Sequence, residues 1–309
     1  MSIKNLEEKT TASRLTHRAS EPNFAPCGAS RRRTRTVRNS RKENLMKMRA
    51  IPFIMGSILC AYFTQAAAHD EFILDTEFYP PSGVPKNVAI MFLGGSEGGM
   101  PTTNVEPFTA QGYPCFKVGY FGTEHTPEHL EMIPLEYFEE VIRSLKSRPE
   151  FAEKKIVVFG GSKGGELALL LASHYQQIQG VVVRVPSSVV FQGIGGPLKT
   201  SSWSFQGQPV PFVPYFKPFD YSQVVNNQWV HLYELSLTQT QEVETASIQV
   251  EHINGPILIF SGKDDKMWPS SQMGEMIIER LKEKEFPHSY QHVAYEEAGH
   301  SFNEKSNMG

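Results

Sequence analysis

The stretch "IVVFGGSKGGELALLLASHY", residues 156–175, joins an apolar run to a helical run through four glycines around one Ser-Lys pair. The first part is rich in β-branched residues and apolar throughout, which is typical of a parallel strand that is covered on both faces. The second part resumes as an apolar helix. The sequence therefore predicts a strand, a tight turn and a helix in direct succession.

The same alternation of short apolar runs and longer amphipathic runs continues along the chain. The strand-like runs are 88–93, 114–120, 155–160, 180–186, 256–262 and 289–296, and the helix-like runs are 134–149, 163–178 and 270–285. Alternating strands and helices predict the α/β class, with a doubly wound and mostly parallel sheet. Residues 187–250 break the rhythm, being rich in Pro, Gly, Gln and aromatic residues. We expect them to form a cap-like insertion over the carboxyl ends of the strands, where ligands bind in such sheets.

The N-terminal part of the chain differs in composition from the rest. Residues 1–45 carry 11 Lys/Arg against 4 Asp/Glu and show no apolar period. They are interpreted as a disordered basic leader, or as sequence upstream of a true start at Met46 or Met48. Residues 46–68 combine a basic start, an apolar stretch of about a dozen residues and small residues at the end, which predicts a signal peptide. The expected location is periplasmic or secreted; an uncleaved membrane anchor and an organelle transit peptide are the alternatives.

Residues 69–309 are long enough for one large domain that buries about 70–75% of its unfolded surface. They contain 17 Lys/Arg and 29 Asp/Glu, a net charge of −12. This balance argues against a nucleic-acid partner, and against stable membrane association once the signal is cleaved. Cys115 is the single cysteine of this part, so an internal disulfide is excluded and we expect a buried core thiol.

The glycines at 160–164 fit the pattern Gly-x-Ser-x-Gly, which is called the nucleophile elbow. Small neighbours are needed there because the serine stands on a tight turn between a closely packed strand and helix. Ser162 would then be a nucleophile at a helix N-terminus, with the backbone N–H of Lys163 directed at a developing oxyanion. The alternative is an incidental Gly-rich turn.

The residues that follow favour the nucleophile. An acid should come after a later strand and a histidine after that. Asp264 and Asp265 directly follow the run 256–262, and His300 lies in a Gly-His turn after the last strand. We favour Asp265 over Asp264 because it lies three residues after Gly262 and four before Pro269. In this hypothesis His300 takes the serine proton, and the aspartate fixes the histidine tautomer.

The second oxyanion donor is expected from the loop "GGSEGG", residues 94–99, which follows an earlier strand. The backbone N–H of Ser96 or of Glu97 would supply it. The alternative, a phosphate-binding loop, lacks the Gly-Lys-Ser/Thr ending of that motif.

Two histidines, one glutamate and two tryptophans each allow more than one interpretation. His125 and His129 are spaced like two zinc ligands, but Pro127 lies between them and a third ligand is missing, so we favour a solvated loop. Glu166 is either a buried partner of the elbow or acid loop, or an acid that the helix dipole favours at a helix start. Trp203 and Trp268 would each either touch an acyl group or pack in the core or the lid.

Taken together, the motifs resemble the C-terminal catalytic domain of the acyl-CoA thioester hydrolases and bile acid-CoA:amino acid N-acyltransferases, a family related to the dienelactone hydrolases. The resemblance covers roughly residues 84–303 and is carried by "GGSEGG", "IPLEYFEEVIRSL", "GGSKGGELALLLA", "RVPSSVVFQGI", "GKDDKMW" and "YEEAGHSF". It implies an α/β-hydrolase fold with Ser162 as nucleophile, Asp265 as acid and His300 as base. In this family a cysteine nucleophile marks the acyltransferases, so Ser162 implies transfer to water.

The sequence therefore predicts a serine hydrolase that cleaves acyl thioesters or carboxylic esters through an acyl-enzyme. No metal or cofactor is expected, and the partner is a small-molecule substrate. Acyl-CoA is a cytosolic compound whereas the predicted signal directs export, so both substrate classes stay open. The alternatives are acyl transfer to another acceptor and a catalytically silent hydrolase fold that acts as a binding protein.

Overall fold

The computed structural model describes residues 72–225 and 228–302, so the predicted leader (1–45) and signal peptide (46–68) lie outside the described residues. The described part contains a seven-stranded sheet and a small three-stranded sheet. The large sheet consists of β1 (Thr76–Tyr79), β2 (Val88–Leu93), β3 (Cys115–Val118), β5 (Lys155–Gly161), β6 (Ile178–Arg184), β9 (Ile257–Gly262) and β10 (Tyr290–Tyr295). The small sheet consists of β4 (Ile133–Pro134), β7 (Trp203–Phe205) and β8 (Gln208–Pro209).

Helices connect the strands. They are α1 (Glu106–Thr109), α2 (Leu135–Lys146), α3 (Lys163–His174), α4 (Val230–Ser236), α5 (Thr240–Ala246) and α6 (Ser270–Glu283), with single 3₁₀ turns at Tyr221–Gln223 and Val250–His252. The α2 sequence buries one stripe of apolar side chains and leaves charged ones outside, which is the amphipathic pattern of a surface helix. The α3 helix is different, because ten of its twelve residues are buried.

The strand order in the large sheet is β1-β3-β2-β5-β6-β9-β10. All neighbouring pairs are parallel except β1 and β3, which are antiparallel at one edge. The register pairs Gly161 of β5 with Arg184 of β6, and Arg184 with Phe260 of β9. The carboxyl ends of these three central strands therefore lie together at one edge of the sheet, which is where loops can assemble a site.

The two faces of the sheet pack differently. One face carries the main core, in which Met91, Val158 and Ile259 are fully buried and α3 packs on β5 and β6. The other face has a smaller cluster built around Phe92 and Cys115. Alternate residues of each strand point to opposite faces, so the continuous apolar runs in the sequence supply both layers.

The sequence predicted these elements closely. Each of the six strand-like runs coincides with a strand to within two residues at its start, and each of the three helix-like runs contains a helix. The helix predicted over 163–178 ends at His174, because Tyr175 is extended and β6 already begins at Ile178. The edge strand β1, the small sheet and helices α4 and α5 of the insertion were not predicted.

Two other expectations concern single features. Cys115 is fully buried, as expected for a core thiol, and this burial raises its pKa to about 11. Within residues 72–225 and 228–302, none of the helices has the length and apolarity that a bilayer span requires.

Candidate active site

The Gly-Ser-Lys-Gly turn between β5 and α3 is strained. Ser162 has φ 54° and ψ −126°, a conformation that non-glycine residues rarely adopt. The strand and helix meet so closely that a Cβ atom on Gly160 would lie 2.1 Å from the carbonyl oxygen of Gly164. Only glycine fits at position 160, and the same holds for Gly164, whose Cβ would lie 2.2 Å from the carbonyl oxygen of Gly94. The result is a partly exposed Ser162 at the start of α3.

Ser162, His300 and Asp265 form one hydrogen-bonded chain in the structure. His300 Nε2 lies 2.8 Å from Ser162 Oγ, and His300 Nδ1 lies 3.0 Å and 3.1 Å from the two carboxylate oxygens of Asp265. The histidine is mostly buried, and its ring packs edge-on against Trp268 at 5.7 Å between centroids. Three sequence-distant residues are thus brought together at the carboxyl edge of the sheet.

The two neighbouring aspartates lie in different surroundings. Asp265 is 5% exposed, and its Oδ1 also accepts the backbone N–H groups of Met267 and Trp268. Asp264 instead faces solvent and pairs with Lys266 at 2.5 Å. The aspartate that contacts the histidine is therefore the one that the loop spacing favoured.

The loop 94–99, in which the second oxyanion donor was predicted, lies against the elbow. A Cβ on Gly95 would lie 3.4 Å from Ser162 Cβ, so the two segments are in direct contact. Ser96 lines the same cavity as Ser162 and Lys163. Glu97 turns its carboxylate back onto the loop, where Oε1 accepts the N–H of Gly95 at 3.0 Å. Of the two candidate donors in this loop, Ser96 is the one at the cavity.

The side chain of Lys163 was not assigned a role from the sequence, yet it is almost completely buried. Its Nζ lies 2.5 Å from Glu166 Oε1, and the same oxygen accepts the indole N–H of Trp203 at 2.8 Å. Burial raises the pKa of Glu166 and lowers that of Lys163, because the interior disfavours both charges. Glu166 is thus a buried partner of the elbow, and Trp203 packs inside rather than lining the cavity.

The cavity beside Ser162 has a volume of about 490 Å³. The residues of the 187–250 insertion make most of its wall, as expected for a cap. Five aromatic residues contribute to the wall, four from the insertion and one from the acid loop, namely Tyr215, Tyr221, Trp229, Tyr233 and Trp268. Gln192, Lys199 and Lys217 add polar groups. A cavity of this size and lining suits a small organic group with apolar bulk and a few polar contacts.

The histidine pair in the loop after β3 lies elsewhere. His125 Nδ1 is 2.8 Å from Asp75 Oδ1, and His125 is partly exposed. A search of the described residues found no group of three or more side chains that could hold a metal ion.

Several residues that matter to this site gave weaker signals in the sequence. A lysine and a glutamate three apart in an otherwise apolar helix would have suggested the pair of Lys163 and Glu166. The partner Trp203 could not be found from spacing, because it lies 37 residues further along the chain. Tyr120, whose hydroxyl donates to the carbonyl of Gly94 at 2.6 Å, gave no signal at all.

The parallel sheet, the strained serine between strand and helix, and the acid and histidine after later strands together define an α/β-hydrolase fold. A search of solved structures agrees on the fold. The chain is similar to an acylaminoacyl peptidase of Pyrococcus horikoshii, with a TM-score of 0.50 and 12% identity over 74% of this chain and 35% of that one. The family model "BAAT / Acyl-CoA thioester hydrolase C terminal" matches residues 133–304, and the chain belongs to this family.

Curated relatives agree with the family. The chain is 30% identical to acyl-coenzyme A thioesterase 2, mitochondrial, of Mus musculus over 73% of this chain and 47% of that one. It is 28% identical to acyl-coenzyme A thioesterase 1 of Homo sapiens, over 73% of this chain and 51% of that one. It is also 27% identical to acyl-coenzyme A amino acid N-acyltransferase 1 of Mus musculus, over 72% and 50%. The chain therefore spans about half the length of these relatives.

Proposed function

We propose that this chain is a serine hydrolase that cleaves an acyl thioester or a carboxylic ester. Ser162 Oγ attacks the acyl carbonyl carbon while His300 Nε2 takes the serine proton. The C–S or C–O bond to the leaving group then breaks, and His300 returns the proton to the leaving sulfur or oxygen. Water, deprotonated by His300, releases the acid and restores Ser162. Asp265 holds His300 in the tautomer whose Nε2 can accept.

The observation that carries this proposal is the chain of hydrogen bonds from Ser162 through His300 to Asp265, beside a cavity. A serine hydroxyl is a weak nucleophile by itself, and an adjacent base that is oriented by a third group activates it. The distances of 2.8 Å and 3.0 Å are within the range such a relay needs. The N-terminus of α3 and the loop 94–99 are both beside Ser162, as the stabilisation of an oxyanion requires.

Family membership supports an acyl thioester as the substrate. The relatives are named acyl-coenzyme A thioesterases and N-acyltransferases, and in all of these names the acyl donor is a thioester. The cavity wall supports an acyl group with apolar surface, because five aromatic side chains together with Ile194, Leu232 and Met267 line it. Carboxylic esters react through the same steps and belong in the same proposal.

The first experiment is labelling with a fluorophosphonate, followed by mass spectrometry of the adduct. The chain offers a matched control, because Ser261 Oγ also lies 2.7 Å from a histidine, His292, but is completely buried. We expect an adduct on Ser162 and none on Ser261. Ser162→Ala should abolish labelling, and Ser261→Ala should keep it.

Turnover separates the remaining alternatives. Wild-type protein should release free acid from acyl-CoAs or from simple esters, and Ser162→Ala should not. If the acyl group appears on an acceptor other than water, in place of free acid, the reaction is acyl transfer and not hydrolysis. Equal turnover by wild type and Ser162→Ala, or a folded protein without an adduct, would refute the hydrolase proposal and favour a binding role.

We also propose that residues 46–68 direct export, which would put the catalytic domain in the periplasm or outside the cell. The support is the order of a basic start, an apolar stretch and small residues. The test is fractionation of cells that express the full chain, with N-terminal sequencing of the product. A new N-terminus close to residue 69 supports cleavage, whereas an intact membrane-bound chain supports the uncleaved anchor. Full-length protein in the cytosol would refute export.

A further inference from the structure

A buried polar network runs beneath the candidate oxyanion hole. Glu166 Oε1 accepts two hydrogen bonds, from Lys163 Nζ of the elbow and from the indole of Trp203 in the insertion. Lys163, Glu166 and Trp203 are each at most 1% exposed. The Trp203 ring in turn packs against the Tyr120 ring, at 5.8 Å between centroids.

The network ends at the other oxyanion segment. The Tyr120 hydroxyl donates to the carbonyl of Gly94 at 2.6 Å, at the start of the loop 94–99. The two segments also meet directly, because a Cβ on Gly164 would lie 2.2 Å from that same Gly94 oxygen. One continuous set of contacts therefore connects the residue after the nucleophile with the loop that is expected to supply the second N–H.

Stability alone is a weak reason for such an arrangement. Removing two charges from water costs several kcal/mol per ion, and a buried ion pair often contributes less than an apolar pair of similar volume. Fixed geometry is a stronger reason, since an oxyanion hole acts through donors that are already placed where charge develops. A shift of about 1 Å in such donors lowers a rate substantially.

We propose that Glu166, Trp203 and Tyr120 are positioning residues that hold the two oxyanion-donating segments at one fixed separation. The proposal rests on the proposed function. It assigns these residues no contact with substrate. Lys163 supplies its backbone N–H to the oxyanion, and its side chain anchors that N–H through Glu166.

The test uses full-length protein and conservative variants. Tyr120→Phe deletes only the hydroxyl, and Trp203→Phe deletes the indole N–H. The matched control is Tyr137→Phe, because the Tyr137 hydroxyl is similarly buried, donates to the carbonyl of Gly119 at 2.7 Å and accepts the backbone N–H of Asp75 at 2.9 Å. That carbonyl precedes Tyr120 in the chain but belongs to neither oxyanion segment.

We expect Tyr120→Phe and Trp203→Phe to lower kcat by about tenfold, with KM changed less than twofold. A trifluoromethyl ketone inhibitor, whose bound form carries an oxyanion, should bind about tenfold more weakly. Tyr137→Phe should show a comparable drop in melting temperature but keep both kcat and inhibitor affinity. Wild-type kcat in both Tyr120→Phe and Trp203→Phe, or an equal kcat loss in Tyr137→Phe, would overturn the proposal. Failure of the hydrolase proposal itself would appear separately, as activity that survives Ser162→Ala.

Discussion

Replacing Asp265 by asparagine tests the Ser162–His300–Asp265 relay at the contact between the Asp265 carboxylate and His300 Nδ1. Asp265 Oδ1 accepts the N–H groups of Met267 and Trp268, and an asparagine oxygen can keep both of these bonds. Both carboxylate oxygens face His300 Nδ1, Oδ2 at 3.0 Å and Oδ1 at 3.1 Å. The amide nitrogen would replace Oδ2, the closer of the two, and the remaining oxygen already accepts two backbone N–H groups. The loop should therefore keep its shape while the closer of the two groups that face His300 Nδ1 changes from an acceptor to a donor.

This change reverses the proton positions on the histidine. An amide N–H that faces Nδ1 favours the tautomer with the proton on Nε2, and that nitrogen can then no longer accept the proton of Ser162. In a Ser-His-Asp relay the same substitution lowers kcat by about 10⁴-fold. At about 1.36 kcal/mol per factor of ten, this corresponds to about 5.4 kcal/mol of lost transition-state stabilisation.

The measurement is kcat on the best substrate for wild type, Asp265→Asn and Asp264→Asn, with a thermal melt of each protein. Asp264→Asn is the matched control, since the Asp264 side chain is exposed and pairs with Lys266 at the surface. We expect it to stay within about twofold of wild type, because surface ion pairs contribute little. If Asp265→Asn retains a tenth or more of the activity, or Asp264→Asn abolishes it, the assignment of the acid is wrong.

Three further predictions concern packing and titration. Gly164→Ala would place Cβ against the carbonyl oxygen of Gly94 and should lower the free energy of unfolding in urea by about 3 kcal/mol. Gly165→Ala, whose Cβ would have its nearest contacts at 3.3 Å, should lower this free energy clearly less. Equal losses would contradict the contact. Cys115 should resist iodoacetamide in the native protein and react only after unfolding, because its thiol is buried and its pKa is raised to about 11; peptide mass spectrometry would reveal any native labelling. Burial lowers the pKa of His292, so its contribution to stability is present above about pH 6.5 and is lost as the pH falls below that value. The variant His292→Gln should flatten this pH dependence of the free energy of unfolding in urea. An unchanged slope would rule out His292 as its source.

The fold could be predicted because its signals are local. A parallel strand that is covered on both faces must be apolar at nearly every position, and runs such as 88–93 and 256–262 show this directly. The candidate relay could be predicted for a related reason. Parallel strands end at one edge, so residues that directly follow strands far apart in sequence, such as Ser162 and Asp265, become neighbours in space.

The insertion could not be predicted in the same way. Residues 187–250 contain only short elements, and their packing depends on contacts with distant parts of the chain. The small sheet shows this, because β7 of the insertion pairs with β4, which lies about 70 residues earlier and outside it. No periodicity within the insertion indicates this pairing. The aromatic wall of the cavity and the position of Trp203 therefore emerge only from the structure.

The molecule also shows why hydrogen-bond geometry by itself does not assign a catalytic role. Ser261, His292 and Glu275 repeat the same arrangement, with 2.7 Å from Ser261 Oγ to His292 Nε2 and 3.0 Å from His292 Nδ1 to Glu275. Ser261, however, is fully buried within β9, in extended backbone.

The surroundings of Ser162 differ from those of Ser261 in backbone conformation, in position on a helix and in access to the cavity. Ser162 has a strained backbone, stands at the N-terminus of α3 and lines the cavity, so a carbonyl carbon can reach its oxygen and the developing charge can be stabilised. Ser261 is fully buried and does not line this cavity, so a substrate cannot reach its hydroxyl. The candidate function of this protein therefore resides in the elbow, the loop 94–99 and the cavity as much as in the Ser-His-acid contacts, which recur away from the cavity at Ser261, His292 and the exposed Glu275.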